Sequence, residues 1–385
     1  MLRICREVDI RSKERWEYLL RAPRVVWESF LQARHSFVFD WMPITIRNMS
    51  FAQRCNLLSA GCNLLYRRAR PWNLPLNMQI ELTNYCNLRC QVCPVGTGDL
   101  SRSPMAMDVR LFDRLMQEVG PYLLTLSLWA WGEPLLHPEL AAILSIAEKY
   151  PVATLLSTNG QNLNQARVLE AIKAFPPTYL IVATDGLCDE TNSVYRRGAR
   201  MAPLLEGVRV LAKWKEQTHS SLPVLHCRFL AMKHNEHELP ALRQFAVSNG
   251  FDMVSIRGLS IIDSSEEAHK ALLTGSDRLR AYAYSEGNRV RRGDFVCQHA
   301  FSFPTVLADG TVVACEQDFN GIRPYGVFSE HRPFRSIWFS PEASAVRRVI
   351  RDDPGQYSFC RSCPYVDRAT SSCSIEADQL RRIDV

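Results

Sequence analysis

Short apolar runs alternate with amphipathic segments along the middle of the chain, from residue 76 to about 262. The amphipathic segments carry apolar residues at the spacing of a helix. One of them follows the N-cap candidate Asp108, and another has Pro138 in its first turn. Strand-like runs separated by helices are typical of β/α units, so this region predicts a parallel sheet. The six runs lie at about 78–83, 123–130, 152–157, 179–184, 224–231 and 252–258.

The pattern changes on both sides of this region. Before it, apolar residues recur at helical spacing, Trp27 among them, and PWNLP at 71–75 is typical of a boundary. After it the alternation stops, and Ala308-Asp309-Gly310 predicts a hairpin turn. The chain is therefore predicted to have three parts: a basic, aromatic-rich helical arm at 1–75, a β/α region at 76–262 and a smaller α+β region at 263–385.

The composition is that of a globular protein with a large core, since the 385 residues are 46% hydrophobic and 22% charged. At roughly 100–200 residues per domain, this length predicts two or three domains. No run approaches the ~18 consecutive apolar residues of a membrane-spanning helix. Charged residues fill the N-terminus, where a secretory leader needs an apolar stretch. These features predict a cytoplasmic protein.

The net charge of +6 is concentrated at one end of the chain. Residues 1–75 hold 13 Lys and Arg against 6 Asp and Glu, whereas the rest of the chain holds 33 against 34. Such an arm favours an anionic partner or membrane surface, an acidic peptide or a phosphate-bearing substrate. The alternative is a set of helices that cap the β/α region and show arginine to water. No nucleic-acid partner is expected, because no recognised binding motif accompanies the charge.

Thirteen cysteines are many for a chain that is predicted to meet a reducing cytoplasm, where clustered cysteines are more often metal ligands or catalytic than disulfides. Cys86, Cys90 and Cys93 share one predicted loop after the first strand, at the edge where parallel sheets carry their chemistry. Thiolates suit zinc or an iron–sulfur cluster. Structural zinc takes four ligands, and no fourth Cys or His lies nearby. Three cysteines on a [4Fe–4S] cluster leave one iron open to another ligand. Unrelated or zinc-bound cysteines are the alternative.

The segment CNLRCQVCP resembles the signature loop of the radical S-adenosylmethionine (SAM) superfamily, and motifs after the next three strands resemble that family in order. The resemblance covers about residues 76–260 and implies a partial (β/α)6 barrel. It also implies that the three cysteines hold a [4Fe–4S] cluster that binds SAM and cleaves it reductively to a 5′-deoxyadenosyl radical. The further motifs are Trp131-Gly132-Glu133-Pro134, Ser157-Thr158-Asn159-Gly160, Thr184-Asp185-Gly186 and Tyr195-Arg196-Arg197-Gly198.

The same resemblance implies contacts with SAM at the ends of these strands. One pair of residues meets the methionine amino group, and four others lie near the ribose and the carboxylate. These residues are Gly132 and Glu133 in the first group, and Ser157, Asn159, Asp185 and Arg196 in the second. Two positions depart from the family pattern: Val92 stands where an aromatic residue is frequent, and Trp131 replaces the first glycine of a Gly-Gly-Glu form. Neither departure removes a metal ligand.

Four more cysteines form two groups in the C-terminal region. Cys297 and Cys315 come first, and Cys360 and Cys363 follow as a Cys-x2-Cys pair. Their spacing satisfies zinc as well as a fully ligated cluster. The pattern resembles the SPASM/twitch extension of radical SAM enzymes, which implies that these four residues hold an auxiliary [4Fe–4S] cluster. Only Cys373 follows them, so the single-cluster twitch form fits better and Cys373 has no assigned role.

Together the resemblances imply a radical SAM oxidoreductase that abstracts hydrogen from an unidentified small molecule and passes an electron to the auxiliary cluster. Glu316 lies where sulfatase-maturing relatives carry a base, and Asp318 lies two residues beyond, so both are candidate catalytic residues. A donor such as flavodoxin or ferredoxin is expected to supply the first electron. A peptide or protein maturase is the alternative within the family, and a zinc-stabilised binding protein without turnover is the alternative outside it.

Overall fold

The computed structural model describes residues 22–66, 68–261, 270–280, 283–285, 288–290, 297–361, 363 and 374–381. The first part of the predicted arm and Cys373 lie outside these residues. In the described part of the chain, no helix is both long and apolar enough to cross a membrane.

The N-terminal segment contains a β-hairpin that the sequence pattern did not predict. Its elements are a π-helical turn (Trp27–Leu31), β1 (His35–Phe39), β2 (Met42–Ile46) and helix α1 (Phe51–Tyr66). The predicted helix is present at α1, whereas residues 35–46 form two antiparallel strands. Alternation of apolar and polar residues is the physical reason, because Met42, Ile44 and Ile46 all point to one buried side.

Six parallel strands form the centre of the fold, which confirms the sequence prediction. They are β3 (Asn77–Ile80), β4 (Thr125–Ser127), β5 (Ala153–Thr158), β6 (Tyr179–Ala183), β7 (Val224–Ala231) and β8 (Met253–Gly258). Successive strands lie side by side in the order β3-β4-β5-β6-β7-β8. The loops that follow these strands therefore meet at one edge of the sheet.

Helices connect the strands, and all except Pro94–Thr97 and Asp189–Tyr195 pack their apolar faces into one cluster on one side of this sheet. They are α2 (Pro94–Thr97), α3 (Val109–Val119), α4 (Leu140–Glu148), α5 (Ala166–Ala174), α6 (Asp189–Tyr195), α7 (Met201–Thr218) and α8 (Leu239–Ser248). Asp108 caps α3 as predicted, since its carboxylate accepts the backbone N–H groups of Arg110 and Leu111 at 2.8 and 3.0 Å.

The hairpin covers the opposite face of the sheet near the strand starts. Met42 of β2 belongs to one buried cluster with Leu155, Tyr179 and Val224, and the last two are the first residues of β6 and β7. The Tyr179 hydroxyl donates to the Pro43 carbonyl at 2.7 Å. Because the hairpin fills this face at the amino ends of the strands, a cavity on the same face has room only at their carboxyl ends.

The C-terminal segment extends the same sheet at both edges. Its elements are β9 (Tyr284–Ser285), β10 (Asn288–Arg289), α9 (His299–Ser302), β11 (Thr305–Val306), β12 (Thr311–Val313), β13 (Gly326–Val327), α10 (Phe334–Trp338), α11 (Pro341–Asp352), α12 (Ser358–Arg361) and β14 (Ser374–Gln379). β11 pairs with β3 in parallel, and β14 pairs with β8 antiparallel. The predicted hairpin turn lies between β11 and β12, where Gly310 has a φ of +87°. One sheet therefore continues across the predicted boundary at residue 262.

Candidate functional site

Three cysteines lie on the loop that leaves β3. The sulfur of Cys86 accepts the backbone N–H of Leu88 at 3.4 Å. Cys93 directly precedes α2, and backbone N–H groups at the start of this helix donate to its sulfur. A Cβ on Gly96 would lie 2.2 Å from the carbonyl oxygen of Cys90, so the loop can fold back on itself only with glycine at that position.

An apolar shell surrounds these thiols. Val92, Tyr195 and Leu259 belong to one buried cluster with Cys90. Burial raises the pKa of Cys86 to about 11 and that of Cys90 to about 12. A metal centre bound here would favour the thiolate form, because metal ligation requires deprotonated sulfur.

The loop after β4 lies directly against the cysteine loop. The backbone N–H of Glu133 donates to the Tyr85 carbonyl at 2.9 Å, and the Thr83 hydroxyl donates to the Glu133 carbonyl at 2.8 Å. A Cβ on Gly132 would lie 1.9 Å from the Thr83 carbonyl oxygen. Only glycine allows this approach, which fixes Glu133 beside the cysteines.

The end of β5 connects to both loops through hydrogen bonds. The buried Glu133 carboxylate accepts the Thr158 hydroxyl at 2.6 Å and the Asn159 backbone N–H at 2.8 Å. The Asn159 side-chain amide donates to the Cys86 sulfur at 3.4 Å. Burial raises the pKa of Glu133, and these donors oppose that rise. Ser157 lines the cavity beside them.

Arg196 lines the cavity at the end of α6, and Asp185 holds it from behind. Arg196 Nε lies 2.6 Å from one Asp185 oxygen, and the other oxygen accepts the Leu230 backbone N–H at 2.9 Å. Burial is the largest single influence and lowers the pKa of Arg196, but the Asp185 carboxylate together with the Cys90 and Tyr195 side chains outweighs burial, so the pKa is raised. Asp185 is fully buried and does not line the cavity. Its carboxylate holds Arg196 in place, and its position near the ribose and carboxylate of SAM stays a prediction.

One cavity of about 320 Å³ extends from these residues to the C-terminal region. Four further lining residues, Trp129, Arg228, Arg257 and Glu316, define what we call its far end. The two arginines come from the neighbouring strands β7 and β8. Asp40, from the hairpin turn, places one carboxylate oxygen 2.7 Å from Arg228 Nη2 and 3.7 Å from Arg257 Nη1. The far end is therefore strongly polar.

Asp40, Arg228 and Arg257 are absent from the residues that the sequence predicted. For the arginines a signal was available, because both interrupt apolar strand runs and buried arginine needs a partner. Asp40 could be found only with the hairpin, whose turn places it beside Arg228 and Arg257.

The four C-terminal cysteines come together from separate elements. Cys297 precedes α9, Cys315 follows β12, Cys360 lies in α12 and Cys363 follows that helix. The pKa of Cys315 is raised well above its ordinary value. Burial is the largest cause, and the neighbouring thiols of Cys360, Cys297 and Cys363 raise it further. The four thiols thus lie close enough to influence one another.

The two candidate catalytic acids have different surroundings. Glu316 lines the far end of the cavity, and its backbone carbonyl accepts the Trp131 indole N–H at 2.6 Å. The Asp318 carboxylate accepts the backbone N–H groups of Ile322 and Arg323 at 2.7 and 2.8 Å, and it does not line the cavity. Glu316 therefore remains a candidate, whereas Asp318 holds its own loop in place.

Family models match both cysteine regions. A model described as the radical SAM superfamily matches residues 80–226, and one described as an iron–sulfur cluster-binding domain, SPASM, matches residues 297–364. The chain belongs to the radical SAM superfamily. Its C-terminal region is a SPASM-type domain, and its cofactors are SAM and [4Fe–4S] clusters, which confirms the prediction.

Similar proteins differ in what their names describe. This radical SAM protein is 24% identical over 184 residues to the tungsten-containing aldehyde ferredoxin oxidoreductase cofactor-modifying protein of Pyrococcus furiosus, and the match covers 47% of this chain and about half, 51%, of that protein. It is 28% identical over 289 residues to GTP 3′,8-cyclase of Streptomyces coelicolor, covering 72% of this chain and 82% of the cyclase. The structure of Streptococcus suis SuiB bound to S-adenosylmethionine matches with a TM-score of 0.57 at 14% identity, covering 83% of this chain and 79% of SuiB. The last match supports the fold.

The residues of both cysteine regions fit iron–sulfur clusters. Within the described residues, no three His, Cys, Asp or Glu side chains meet as ligands of a single metal ion. The candidate donors are all sulfur. In the first loop, N–H groups of Leu88, Asn159 and the start of α2 are directed at two of the sulfurs. Hydrogen bonds of this kind tune cluster thiolates, so the donor set suits the cofactors of the superfamily.

Proposed function

We propose that this radical SAM protein is an oxidoreductase that oxidises a small polar molecule in the cavity between its two cysteine regions. One observation carries the proposal: Glu316, the residue after Cys315, lines the same cavity as Cys86, Cys90 and Cys93. A substrate in this cavity contacts the SAM end with one side and the auxiliary end with the other. This placement supports loss of a hydrogen atom at the first end and of an electron at the second.

When bound, SAM and its cluster supply the hydrogen-abstracting 5′-deoxyadenosyl radical, and the auxiliary cluster takes up an electron. In this proposal the cysteine loop holds the first cluster and the four C-terminal cysteines hold the second. Asp185 positions Arg196, and the other residues at this end border SAM directly. The residues that border SAM are Gly132, Glu133, Ser157, Asn159 and Arg196.

Glu316 is proposed to take the proton that leaves the substrate. An alcohol or amine that loses a hydrogen atom from its carbon, one electron, and the proton of its O–H or N–H group becomes a carbonyl or an imine, which balances as a two-electron oxidation. The side chain lies at the far end of the cavity, next to an assigned ligand of the auxiliary cluster. A flavodoxin- or ferredoxin-type donor in the cytoplasm is proposed to supply the electron that starts each turnover.

The polar far end supports a small molecule over a peptide. By their names, the similar proteins include both classes: one is a GTP cyclase, and SuiB has been solved bound to its precursor peptide SuiA. In this chain Arg228 and Arg257 form a charged wall of a cavity of about 320 Å³, and Asp40 pairs with both arginines. Such a wall suits a compact substrate with several hydrogen-bonding groups.

Fractionated host lysate tests this choice of substrate. We expect the low-molecular-mass filtrate to increase 5′-deoxyadenosine formation by the anaerobically reconstituted protein, and protease treatment of the filtrate to leave the increase unchanged. Stimulation that is destroyed by protease would instead support the peptide maturase. The active filtrate fraction then serves as substrate for the variants below.

The basic arm has two parts in this proposal. Its hairpin packs on the sheet and brings Asp40 to Arg228, which lines the cavity. The remaining positive charge of the arm is proposed to face an anionic partner or membrane surface.

Replacing Glu316 with glutamine should separate SAM cleavage from substrate oxidation. We expect Glu316→Gln to lower oxidation by about 100-fold, because a positioned base contributes about 10²–10⁴-fold to a proton transfer. Formation of 5′-deoxyadenosine should continue in the same anaerobic assay. Asp318→Asn is the matched control, with oxidation near the parent rate. Equal losses of oxidation in the two variants would contradict the assignment of Glu316.

Removing the cation at the SAM end should weaken SAM binding. We expect Arg196→Gln to raise the KM for SAM by about 10- to 100-fold, since a hydrogen bond to a charged group contributes about 1.5–3 kcal/mol. Asp185→Asn should raise it less, because Asp185 acts through Arg196. Steady-state kinetics and equilibrium dialysis with SAM measure both effects. Arg197→Gln, at an exposed neighbour, should leave the KM unchanged. A parent-like KM in Arg196→Gln would remove Arg196 from the SAM site.

A further inference from the structure

A buried arginine, which pairs with no carboxylate among the described residues, contacts the short helix that follows Cys297. Arg347 of α11 has an exposed fraction of 0%. Within the described part of the chain, no Asp or Glu forms an ion pair with it, and burial lowers its pKa. A buried cation is costly unless an opposite charge compensates it. The charge of Arg347 therefore needs an explanation.

Aromatic rings and backbone carbonyls hold this side chain in place. Nε donates to the Ala300 carbonyl at 2.9 Å, and Nη1 donates to the Trp338 carbonyl at 2.8 Å. The guanidinium carbon lies 3.9 Å from the ring centroid of Trp338 and 4.6 Å from that of Tyr325. Nη2 has no hydrogen-bond partner. These contacts orient the cation and supply no negative charge.

Two of these neighbours connect Arg347 to the cysteines. Ala300 follows Cys297 by three residues, and its carbonyl also accepts the Tyr325 hydroxyl at 2.9 Å. Burial raises the pKa of Tyr325, and the thiols of Cys297 and Cys315 raise it further. Tyr325 is therefore close to both the guanidinium and the sulfur site.

We propose that Arg347 is the counter-cation of the auxiliary cluster and raises its reduction potential. The proposal rests on the assignment of the four C-terminal cysteines as cluster ligands. A [4Fe–4S] cluster with four thiolates is an anion, and its negative charge grows by one when it takes up one electron. A fixed cation in a low-dielectric interior stabilises the reduced form more than the oxidised form. Arg347 thus makes this site a better acceptor for the electron that the substrate loses.

A redox titration followed by electron paramagnetic resonance tests the proposal. The full-length chain carries Cys86→Ala, Cys90→Ala and Cys93→Ala, so that the auxiliary cluster alone gives the signal. At the parent midpoint potential, we expect Arg347→Met and Arg347→Gln to lower the ratio of reduced to oxidised cluster about tenfold, which is a 59 mV shift for one electron. Arg347→Lys keeps the charge and should lie closer to the parent. Arg348→Met removes the exposed neighbouring arginine and should match the parent.

Each outcome decides for or against the counter-cation. A parent-like ratio in either neutral variant overturns it. If both neutral variants fail to assemble the cluster while Arg347→Lys assembles it, the positive charge is required and the proposal stands. Loss of the cluster in all three variants points to packing and overturns it. Iron and sulfide analysis of Cys360→Ala in the same background distinguishes failure of the ligand assignment from failure of the counter-cation proposal. An intact cluster in that variant would refute the four-cysteine site itself.

Discussion

Cys90→Ala is expected to reduce 5′-deoxyadenosine formation from SAM to background. The cysteine loop has three thiols, and loss of one removes the cluster that binds and cleaves SAM. Iron content should fall from about eight to about four atoms per chain, because the auxiliary cluster remains. Chromatography of the reaction products measures 5′-deoxyadenosine formation, and iron and sulfide analysis after anaerobic reconstitution measures the iron content.

The matched control for this variant is Cys62→Ala, which replaces an exposed cysteine on α1. It should keep the iron content and the SAM cleavage of the parent. If Cys90→Ala cleaves SAM as fast as the parent, the ligand assignment is wrong. One or two zinc ions without iron in the parent protein would favour the zinc-stabilised binding protein instead.

Cys360→Ala is expected to abolish substrate oxidation while SAM cleavage continues. The four thiols of the C-terminal region influence one another, and Cys360 is the buried member in α12. Its loss should leave about four iron atoms per chain in the SAM cluster. The substrate then loses its hydrogen atom but has no acceptor for the electron. The comparison measures oxidised product and 5′-deoxyadenosine in the same anaerobic reaction.

We expect the C-terminal region to gain stability from its metal centre, because ligation stabilises the folded form of a small region. Cys360→Ser, which keeps the size of the side chain, is therefore assayed beside Cys360→Ala. Thermal unfolding of both variants should begin at a lower temperature than in the parent. Oxidation at the parent rate in a variant that lacks the auxiliary cluster would contradict the proposed electron acceptor.

The parallel strands and the cysteine loop were predictable because their signals are local. Apolar runs such as 179–184 and 224–231 are buried on both faces, so they stand out against the amphipathic helices between them. The loop motifs follow those runs directly. Once the strands are placed, their carboxyl ends bring Cys86, Glu133 and Asn159 to one edge of the sheet.

The rest of the site depends on contacts between distant segments. Asp40 precedes Arg228 by 188 positions in the chain, and the two side chains meet only because the hairpin folds onto the sheet. Asp185 follows its strand as the motif suggests, but Arg196 lies between it and the cavity. Glu316 and Asp318 are two positions apart, but only Glu316 lines the cavity. The Asp318 carboxylate instead accepts a hydrogen bond from the backbone of its own loop.

The central claim is that an electron lost by the substrate enters the auxiliary cluster of the same chain. The direct measurement is a single turnover of the parent protein with SAM, one reducing equivalent and the active filtrate fraction, frozen and examined by Mössbauer spectroscopy. The account predicts one reduced auxiliary cluster for each 5′-deoxyadenosine formed. Oxidised product and 5′-deoxyadenosine formed while the auxiliary cluster stays oxidised would contradict it.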